Sequence, residues 1–190
     1  TAEILPIAHP TAETGPPTPD VVELARVTDR GIRESKMLDM KQLVLEKDKS
    51  VIGIFCDNAV TDHDGNLFDV CSYATTAALN SCKLPKYEMQ DDKPVKIEGE
   101  TTDPPISTLP VSVTMARIGD YILVDPNMDE WSCLDARITI TTNSDGNVVA
   151  LQKGGPEGFT HDQLIKCAEI SIQVGSKIRE IIKEATKGSN

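Results

Sequence analysis

The chain has 190 residues, and its 30 acidic and 19 basic side chains leave a formal net charge of −11. Nucleic-acid binding over a whole surface needs clustered lysine and arginine, so this charge argues against it, although it leaves room for a local basic patch. A hydrophobic content of 39% is enough for one folded domain, and no apolar run approaches the roughly 20 residues of a membrane-spanning helix. No signal peptide opens the chain, so we expect a cytoplasmic protein with no membrane partner.

The first predicted elements are a short strand and a proline-rich linker. Residues 4–8 are mostly apolar and predict an edge strand, whereas residues 9–20 contain four prolines and predict an extended, irregular segment. A strand needs neighbours, and the chain does not begin with methionine, so we expect one domain, residues 1–190, that lacks an N-terminal part. Asp20 is the predicted N-cap of a helix that runs to about Met40.

Short strands and a compact helix follow. Residues 42–45 and 51–60 are rich in apolar and β-branched side chains and predict strands. A turn at residues 62–66 then leads to a helix over residues 67–82. That helix is rich in alanine and threonine, which suits close packing against a sheet.

A polar segment and two hairpins make up the next part of the chain. Residues 86–110 are interrupted by prolines, so we expect a surface excursion with a weak strand at residues 95–97. Alternating apolar residues around short turns then predict two hairpins. Their strands are residues 111–116 with 121–125, and residues 136–142 with 148–152.

The last predicted element is a helix that begins with a capping box formed by Thr160 and Gln163. We expect its buried stripe to include Leu164, Ala168, Ile172, Ile178 and Ile182. Hairpins and helices do not alternate strictly along the chain, and no internal repeat is present. The fold class predicted by this order is α+β, with a mixed sheet covered by helices.

Three arginines lie on one stripe of the first predicted helix. At 100° per residue, Arg30 and Arg33 fall within about 40° of Arg26. The opposite side carries apolar and small residues: Leu24, Ala25, Val27, Thr28, Gly31, Ile32, Ser35 and Leu38. A helix seated closely by small residues would present the arginines as a rigid phosphate-binding row. The alternative is a set of ordinary surface ion pairs, in which Asp29 pairs with Arg33 and Glu34 with Arg30.

No cofactor or metal site stands out in the sequence. The cysteines lack a C-x-x-C pattern and predict free thiols in a reducing compartment: Cys56, Cys71, Cys82, Cys133 and Cys167. The isolated histidines are His9, His63 and His161.

Five acids could hold Mg²⁺ or supply a general acid: Asp120, Asp125, Asp129, Glu130 and Asp135. The alternative is a polar loop in which Asp129 and Glu130 begin a helix.

The turn at Asp64-Gly65-Asn66 is a second candidate, because the N-terminus of the helix that follows could bind an anion. The next residues, Leu67 and Phe68, bring neither a hydroxyl group nor a charge. A structural turn from strand to helix is therefore favoured.

Four separated segments resemble the RNase PH family, and specifically its branch of non-catalytic ring subunits in archaeal exosomes. They are residues 23–35, 62–69, 112–119 and 124–126. The similarity runs in order from about residue 5 to the last helix. The resemblance implies a ribosomal S5 domain 2-like fold that lacks its N-terminal part. It also implies an exosome ring that alternates this subunit with a catalytic RNase PH-like paralogue, carries cap proteins, and degrades single-stranded RNA from the 3′ end with phosphate.

The resemblance also bears on the site residues. Active paralogues carry Asp-Gly-Gly-Ser/Thr-Arg at the turn that matches residues 64–68 here, so both phosphate-binding side chains are missing. A second aspartate, six residues after the position of Asp125, is replaced by Trp131. The resemblance therefore implies no catalytic residue in this chain.

RNA binding is the role that the resemblance implies for the arginines. It assigns Arg26 and Arg30 to the RNA path, with Arg33 on the same stripe. Two alternatives stay open. The chain could itself be an active phosphate-dependent 3′-to-5′ exoribonuclease using Asp125, or it could be a fragment that keeps the fold without assembling.

Overall fold

The computed structural model describes residues 1–90 and 93–187, which form four α-helices and ten strands. The helices are α1 (Pro19–Glu34), α2 (Leu67–Ser81), α3 (Met128–Cys133) and α4 (His161–Thr186). The first six strands are β1 (Ala2–Ile4), β2 (Val44–Glu46), β3 (Ser50–Val51), β4 (Asn58–Val60), β5 (Leu84–Gln90) and β6 (Lys93–Thr102). The last four are β7 (Val111–Ile118), β8 (Tyr121–Val124), β9 (Ala136–Thr142) and β10 (Val148–Gly154).

A four-stranded antiparallel sheet, in the order β10-β9-β7-β8, lies at the centre of the fold. Both predicted hairpins are confirmed, since β7 pairs with β8 and β9 pairs with β10. Strand β1 pairs with β4 in parallel, and β2–β3 and β5–β6 form separate antiparallel pairs. Helices cover this mixed set of strands, which confirms the predicted α+β class.

The two faces of the central sheet differ in chemistry because side chains alternate along each strand. One face is apolar and packs under α4. The cluster buried between them consists of Val113, Met115, Ile138 and Ile140 of the sheet and Cys167 of the helix. The other face carries hydroxyl groups in cross-strand pairs. Ser112 lies 2.9 Å from Thr141, and Thr114 lies 2.8 Å from Thr139, measured between side-chain oxygens.

Helix α2 is bonded to this hydroxyl face at three successive turns. Asp69 accepts hydrogen bonds from the backbone N–H and the hydroxyl group of Thr114, at 2.9 and 2.8 Å. The next two turns continue the pattern, with Ser72 accepting from the Ser112 N–H (3.1 Å) and Thr76 donating to the Pro110 carbonyl (2.9 Å). The small side chains predicted for this helix therefore do allow close packing on the sheet.

Helix α1 lies beside α2 and the β9–β10 edge, with its small residues inward. Gly31 is in contact with Thr141, whose Cγ2 lies 3.3 Å from the position that a Cβ would take. Leu24 and Val27 join a second apolar cluster with Phe68 of α2. The predicted buried side of this helix is confirmed at Leu24, Val27, Thr28, Gly31 and Ser35.

The predicted ends of the first helix were wrong. Thr18, not Asp20, is the N-cap, because its hydroxyl group accepts a hydrogen bond from the Val21 N–H at 3.4 Å. The helix ends at Glu34 rather than near Met40. Lys36 takes a left-handed backbone conformation with φ 55°, which stops the helix.

The two strands predicted between the first helices were also too long. Residues 40–43 form a 3₁₀ helix, Met40–Leu43, so only the end of the predicted strand 42–45 belongs to β2. Within residues 51–60, only Val51 and the three residues of β4 are in strands. A β-rich sequence forms a strand only where another strand pairs with its backbone, and residues 52–57 have no such partner among the described strands.

The polar excursion contains more structure than predicted. Residues 86–110 include most of the β5–β6 hairpin, with Tyr87 opposite Lys96. The weak strand at 95–97 lies in the first half of a ten-residue strand. Residues 91 and 92 lie outside the described part. Two polar strands that pair with each other need no apolar periodicity. The hydrophobic pattern of the sequence therefore predicted fewer strand residues here than the structure contains.

The stripe predicted for the last helix was wrong in part, although its capping box at Thr160 and Gln163 is confirmed. Of the five predicted residues Ile182 is buried and Ala168 and Ile178 are half-buried. Leu164 and Ile172 are exposed. The buried side instead consists of Cys167, Ser171, Gly175, Arg179, Ile182 and Thr186. This helix lies so close to the sheet that a Cβ at Gly175 would come within 2.8 Å of the Thr142 hydroxyl oxygen.

All five cysteines carry free thiols. Across residues 1–90 and 93–187 no helix has the length and apolar character needed to cross a membrane. In the same ranges, no three side chains of histidine, cysteine, aspartate or glutamate are grouped so that they could hold a metal ion.

Candidate nucleic-acid interface

Arg26 and Arg30 lie one turn apart on α1 and line the same surface groove. The groove has a volume of about 500 Å³, and its other lining residues are Pro17, Pro19, Val22, Glu23, Val27 and Gln152. Arg26 is exposed and makes no hydrogen bond or ion pair with any residue that the structure describes. Arg30 is half-buried, and its Nη1 donates a hydrogen bond to Gln152 Oε1 at 3.0 Å.

Arg33 is set apart from the other two arginines. Its guanidinium lies 3.4 Å from Asp29 and 3.5 Å from Glu34, and its side chain is 66% exposed. It borders a different cavity, of about 690 Å³, that Asp29 and Ile32 also line. The alternative of surface ion pairs therefore holds for Arg33, whereas Arg30 bonds to a neutral amide instead of Glu34.

Three side chains that the sequence analysis did not identify are linked to Arg30 by hydrogen bonds: Gln152, Glu23 and Arg137. Gln152 Nε2 donates to Glu23 Oε1 at 2.8 Å. The second oxygen of Glu23 accepts a short hydrogen bond from Arg137 Nη2. A continuous chain of polar contacts thus runs from Arg30 through Gln152 and Glu23 to Arg137.

Arg137 is a buried cation held by aromatic rings. Only 8% of the residue is exposed, and its guanidinium carbon lies 4.4 Å from the ring centre of Phe68 and 5.4 Å from that of Trp131. Its Nη1 is buried and has no hydrogen-bond partner among the residues that the structure describes. Contact with the negative faces of two rings offsets part of the cost of burying this charge.

The turn before α2 is a structural one. Asn66 is 3% exposed and takes a left-handed backbone conformation. Its Nδ2 donates to Asp69 Oδ2 at 2.9 Å and to Asp125 Oδ1 at 2.7 Å. Gly65 has φ 103°, and a Cβ there would lie 2.5 Å from the Pro126 carbonyl oxygen. The Asn66 amide group therefore bonds inside the protein, which agrees with the structural turn that the sequence favoured over an anion site.

The five acids of the predicted Mg²⁺ or general-acid cluster do not converge on one point. Asn127 and Glu130 form a capping box at the start of α3, with hydrogen bonds of 2.9 and 3.0 Å. Asp135 instead accepts a hydrogen bond from the Gly119 N–H at 2.7 Å and pairs with Arg117. The structure thus favours the alternative of a polar loop that begins a helix.

Burial changes the acidity of one carboxyl group next to this region. Desolvation raises the pKa of Asp69 to about 6, although hydrogen bonds from Thr114 and Asn66 favour its ionised form. The group lies inside the protein between α2 and β7. Its altered pKa therefore reflects packing, not exposure to a ligand.

Two of the missed side chains carried a signal in the sequence. Glu23 lies seven residues before Arg30, on the same side of the helix. Arg137 is the one charged residue in a strand that otherwise alternates isoleucine with threonine. Gln152 carried none, because a polar residue on an edge strand is ordinary.

The sequence matches two parts of one family. Residues 1–85 match domain 1 of the 3′ exoribonuclease family, RNase_PH, and residues 108–174 match its domain 2, RNase_PH_C. The protein named exosome complex component Rrp42 from Thermococcus gammatolerans is 41% identical over 184 residues, which cover 96% of this chain and 67% of that protein.

Solved structures agree with the sequence matches. A chain in the structure described as the Archaeoglobus fulgidus exosome with RNA bound to the active site superposes with a TM-score of 0.84 at 43% identity, covering 94% of this chain and 68% of that one. A chain in the archaeal exosome core gives a TM-score of 0.78 at 38% identity, covering 96% and 68%.

Proposed function

This chain belongs to the 3′ exoribonuclease family of RNase PH proteins, and we propose that it is a non-catalytic subunit of an exosome ring. In that role it builds the ring and positions single-stranded RNA for phosphorolysis by a catalytic paralogue. The groove that Arg26 and Arg30 share carries the proposal, because it places two basic side chains together on a protein of net charge −11. Phosphate contacts of this kind position RNA without reading its sequence.

The proposal that this chain is not catalytic is supported by the side chains that stand at the positions of the active paralogues' phosphate site. Phe68, at the place of the phosphate-binding arginine of active paralogues, is buried against Arg137 and Trp131. Trp131 itself takes the place of the second acid. Asp125, the retained acid, accepts a hydrogen bond from Asn66. The Phe68 side chain therefore lacks the guanidinium, and the Trp131 side chain lacks the carboxyl group, that active paralogues have at these two positions.

The proposed partners follow from the relatives. Rrp42 proteins are named as exosome components, and one superposed chain comes from an exosome that holds RNA. We infer a ring in which this chain, as one RNase PH-like domain, alternates with a catalytic paralogue in the cytoplasm and supports cap proteins. In this proposal Arg33 also lies along the RNA path, but it contributes less to RNA binding because its charge is paired with that of Asp29.

The test combines assembly with activity. Solution mass is measured for the chain alone and after mixing with a catalytic RNase PH-like paralogue, and phosphate-dependent release of nucleoside diphosphates is followed in each sample. We expect no release by the chain alone, and a hexamer that degrades RNA after mixing. Release by the isolated chain that is lost in Asp125→Asn would overturn catalytic silence and favour an active exoribonuclease. Failure to assemble would favour a fragment that only keeps the fold.

The arginines are tested in the assembled ring. The double variant Arg26→Ala/Arg30→Ala should bind single-stranded RNA more weakly, and the slope of log affinity against log salt should fall by about 1.4, or 0.7 for each lost phosphate contact. Lys177→Ala, an exposed change on α4, is the matched control. Unchanged RNA affinity and degradation at several salt concentrations would show that these arginines do not bind RNA.

A further inference from the structure

Gln152 is the residue that separates the charge of Arg30 from the charge of Glu23. Its Oε1 accepts from Arg30 at 3.0 Å, and its Nε2 donates to Glu23 at 2.8 Å. A carboxamide satisfies both neighbours at once, because one end is an acceptor and the other a donor. The two contacts also fix the orientation of the amide.

Glu23 does not neutralise Arg30 in this arrangement. Its second oxygen is occupied by Arg137, a buried cation that requires an anion. The charges of Glu23 and Arg137 therefore compensate each other. Arg30 is held by a neutral group and keeps its full charge for a ligand in the groove.

Arg33 shows the contrasting arrangement on the same helix. It contacts the carboxylates of Asp29 and Glu34 directly, and those two charges offset its own. The difference between Arg30 and Arg33 is thus the chemistry of the neighbouring group. An amide fixes the guanidinium and leaves its charge available, whereas a carboxylate neutralises it.

We infer that Gln152 is a positioning residue for RNA binding, which holds the Arg30 guanidinium toward the groove while leaving its charge uncompensated. The inference rests on the proposed function, because it assigns to Gln152 the orientation of a phosphate-binding arginine. Strand β10 supplies this residue from 122 positions away in sequence. The RNA-facing surface therefore extends beyond α1 to the edge of the central sheet.

A double-mutant cycle in the assembled ring tests the inference. The variants are Gln152→Met, which keeps the side-chain length without the amide, Arg30→Ala, and the two combined, with Gln173→Met as an exposed control. Binding of a 3′-single-stranded oligoadenylate is measured over a range of salt concentrations. Gln152→Met should weaken binding roughly fivefold, as expected for one neutral hydrogen bond, while its salt slope stays that of the wild type. The combined variant should bind no more weakly than Arg30→Ala alone.

A second substitution tests the neutral character of the side chain. Gln152→Glu should lower the salt slope by about 0.7, as Arg30→Ala does, because the new carboxylate pairs with Arg30. Gln173→Glu makes the same charge change away from the groove and should leave the slope unchanged.

The possible failures are distinct. If Arg30→Ala binds RNA like the wild type, the proposed RNA-binding role of Arg30 is wrong and this inference is wrong with it. If Arg30→Ala weakens binding but the effect of Gln152→Met is absent, or is the same with and without Arg30, only the positioning role is overturned. Equal melting temperatures of wild type and Gln152→Met would show that a loss of binding is not a loss of folding.

Discussion

Gly154 and Arg137 lie directly opposite each other on β10 and β9, and the arginine side chain folds over the glycine. A Cβ at position 154 would lie 2.5 Å from the guanidinium carbon. The absence of a side chain on one strand therefore makes room for the buried cation on the other. This cation is the one that holds Glu23 and stacks on Phe68.

Replacing Gly154 with alanine should displace Arg137 and destabilise the protein by about 1–3 kcal/mol, the usual cost of overpacking. Trp131 is the single tryptophan of the chain and contacts the same guanidinium. Its fluorescence reports both the displacement and the denaturant unfolding curve. Gly158→Ala is the control, because no atom of residues 1–90 or 93–187 lies within 4 Å of a Cβ there. Equal losses of stability in the two variants would contradict the proposed role of Gly154.

Asp69 should make the stability of the protein depend on pH. Burial raises its pKa from 3.8 to about 6, so between these values the folded protein binds the proton more tightly than the unfolded chain does. The contribution of this group to the free energy of unfolding is therefore fully present below about pH 4 and is lost as the pH rises to about 6.

The measurement compares wild type with Asp69→Asn by urea unfolding from pH 3.5 to pH 7. The wild type should lose roughly 3 kcal/mol relative to the variant over this range, at 1.4 kcal/mol for each pKa unit. Asp120→Asn, at an exposed position, is the control. A pH-independent difference between wild type and Asp69→Asn would mean that the carboxyl group has an ordinary pKa.

Arg33 and Arg26 should differ in their contribution to RNA binding. Arg26 is unpaired within the described structure and faces the groove, whereas Arg33 pairs with two carboxylates. Arg26→Ala should weaken RNA binding roughly tenfold, as for a lost charge-assisted hydrogen bond. Arg33→Ala should change it by less than about twofold. Titrations of the assembled ring with labelled RNA give both values, and a larger effect of Arg33→Ala would reverse the assignment.

The N-cap of α1 can be identified by two substitutions. Thr18→Ala should cost about 1 kcal/mol of stability, because the hydroxyl group that accepts from Val21 is lost. Asp20→Ala should cost only a few tenths of a kcal/mol, since this carboxylate only interacts with the helix dipole. Urea unfolding at neutral pH distinguishes them. A larger loss for Asp20→Ala would restore the cap predicted from the sequence.

The sequence predicted well those features that depend on local chemistry. Alternation and turn residues located both hairpins of the central sheet, and small residues identified the inward side of α1 and the close packing of α2. Helical periodicity predicted one stripe of Arg26, Arg30 and Arg33. The structure places Arg26 and Arg30 in one groove, whereas Arg33 borders another cavity. Whether they bind RNA stays a prediction.

The features that were missed depend on contacts between distant segments. Helix α4 buries Ser171, Gly175 and Arg179 and exposes isoleucines. The distance between the helix and the sheet decides which side chains fit between them, and no local sequence pattern encodes that distance. Gln152 reaches Arg30 across 122 positions. The end of α1 at Glu34 was missed for a different reason: the left-handed residue that follows it, Lys36, is not glycine, so the usual signal was absent.

The hydrogen bonds between α2 and the central sheet leave only one alignment of the two elements. One helical turn advances about 5.4 Å and two strand residues about 6.7 Å, so Asp69, Ser72 and Thr76 reach alternate positions along residues 110–114. A slip of the helix by one turn would break all of these bonds together, and each broken bond would leave a buried polar group unpaired. Amide protons of α2 and β7 should therefore exchange with solvent as a single cooperative unit.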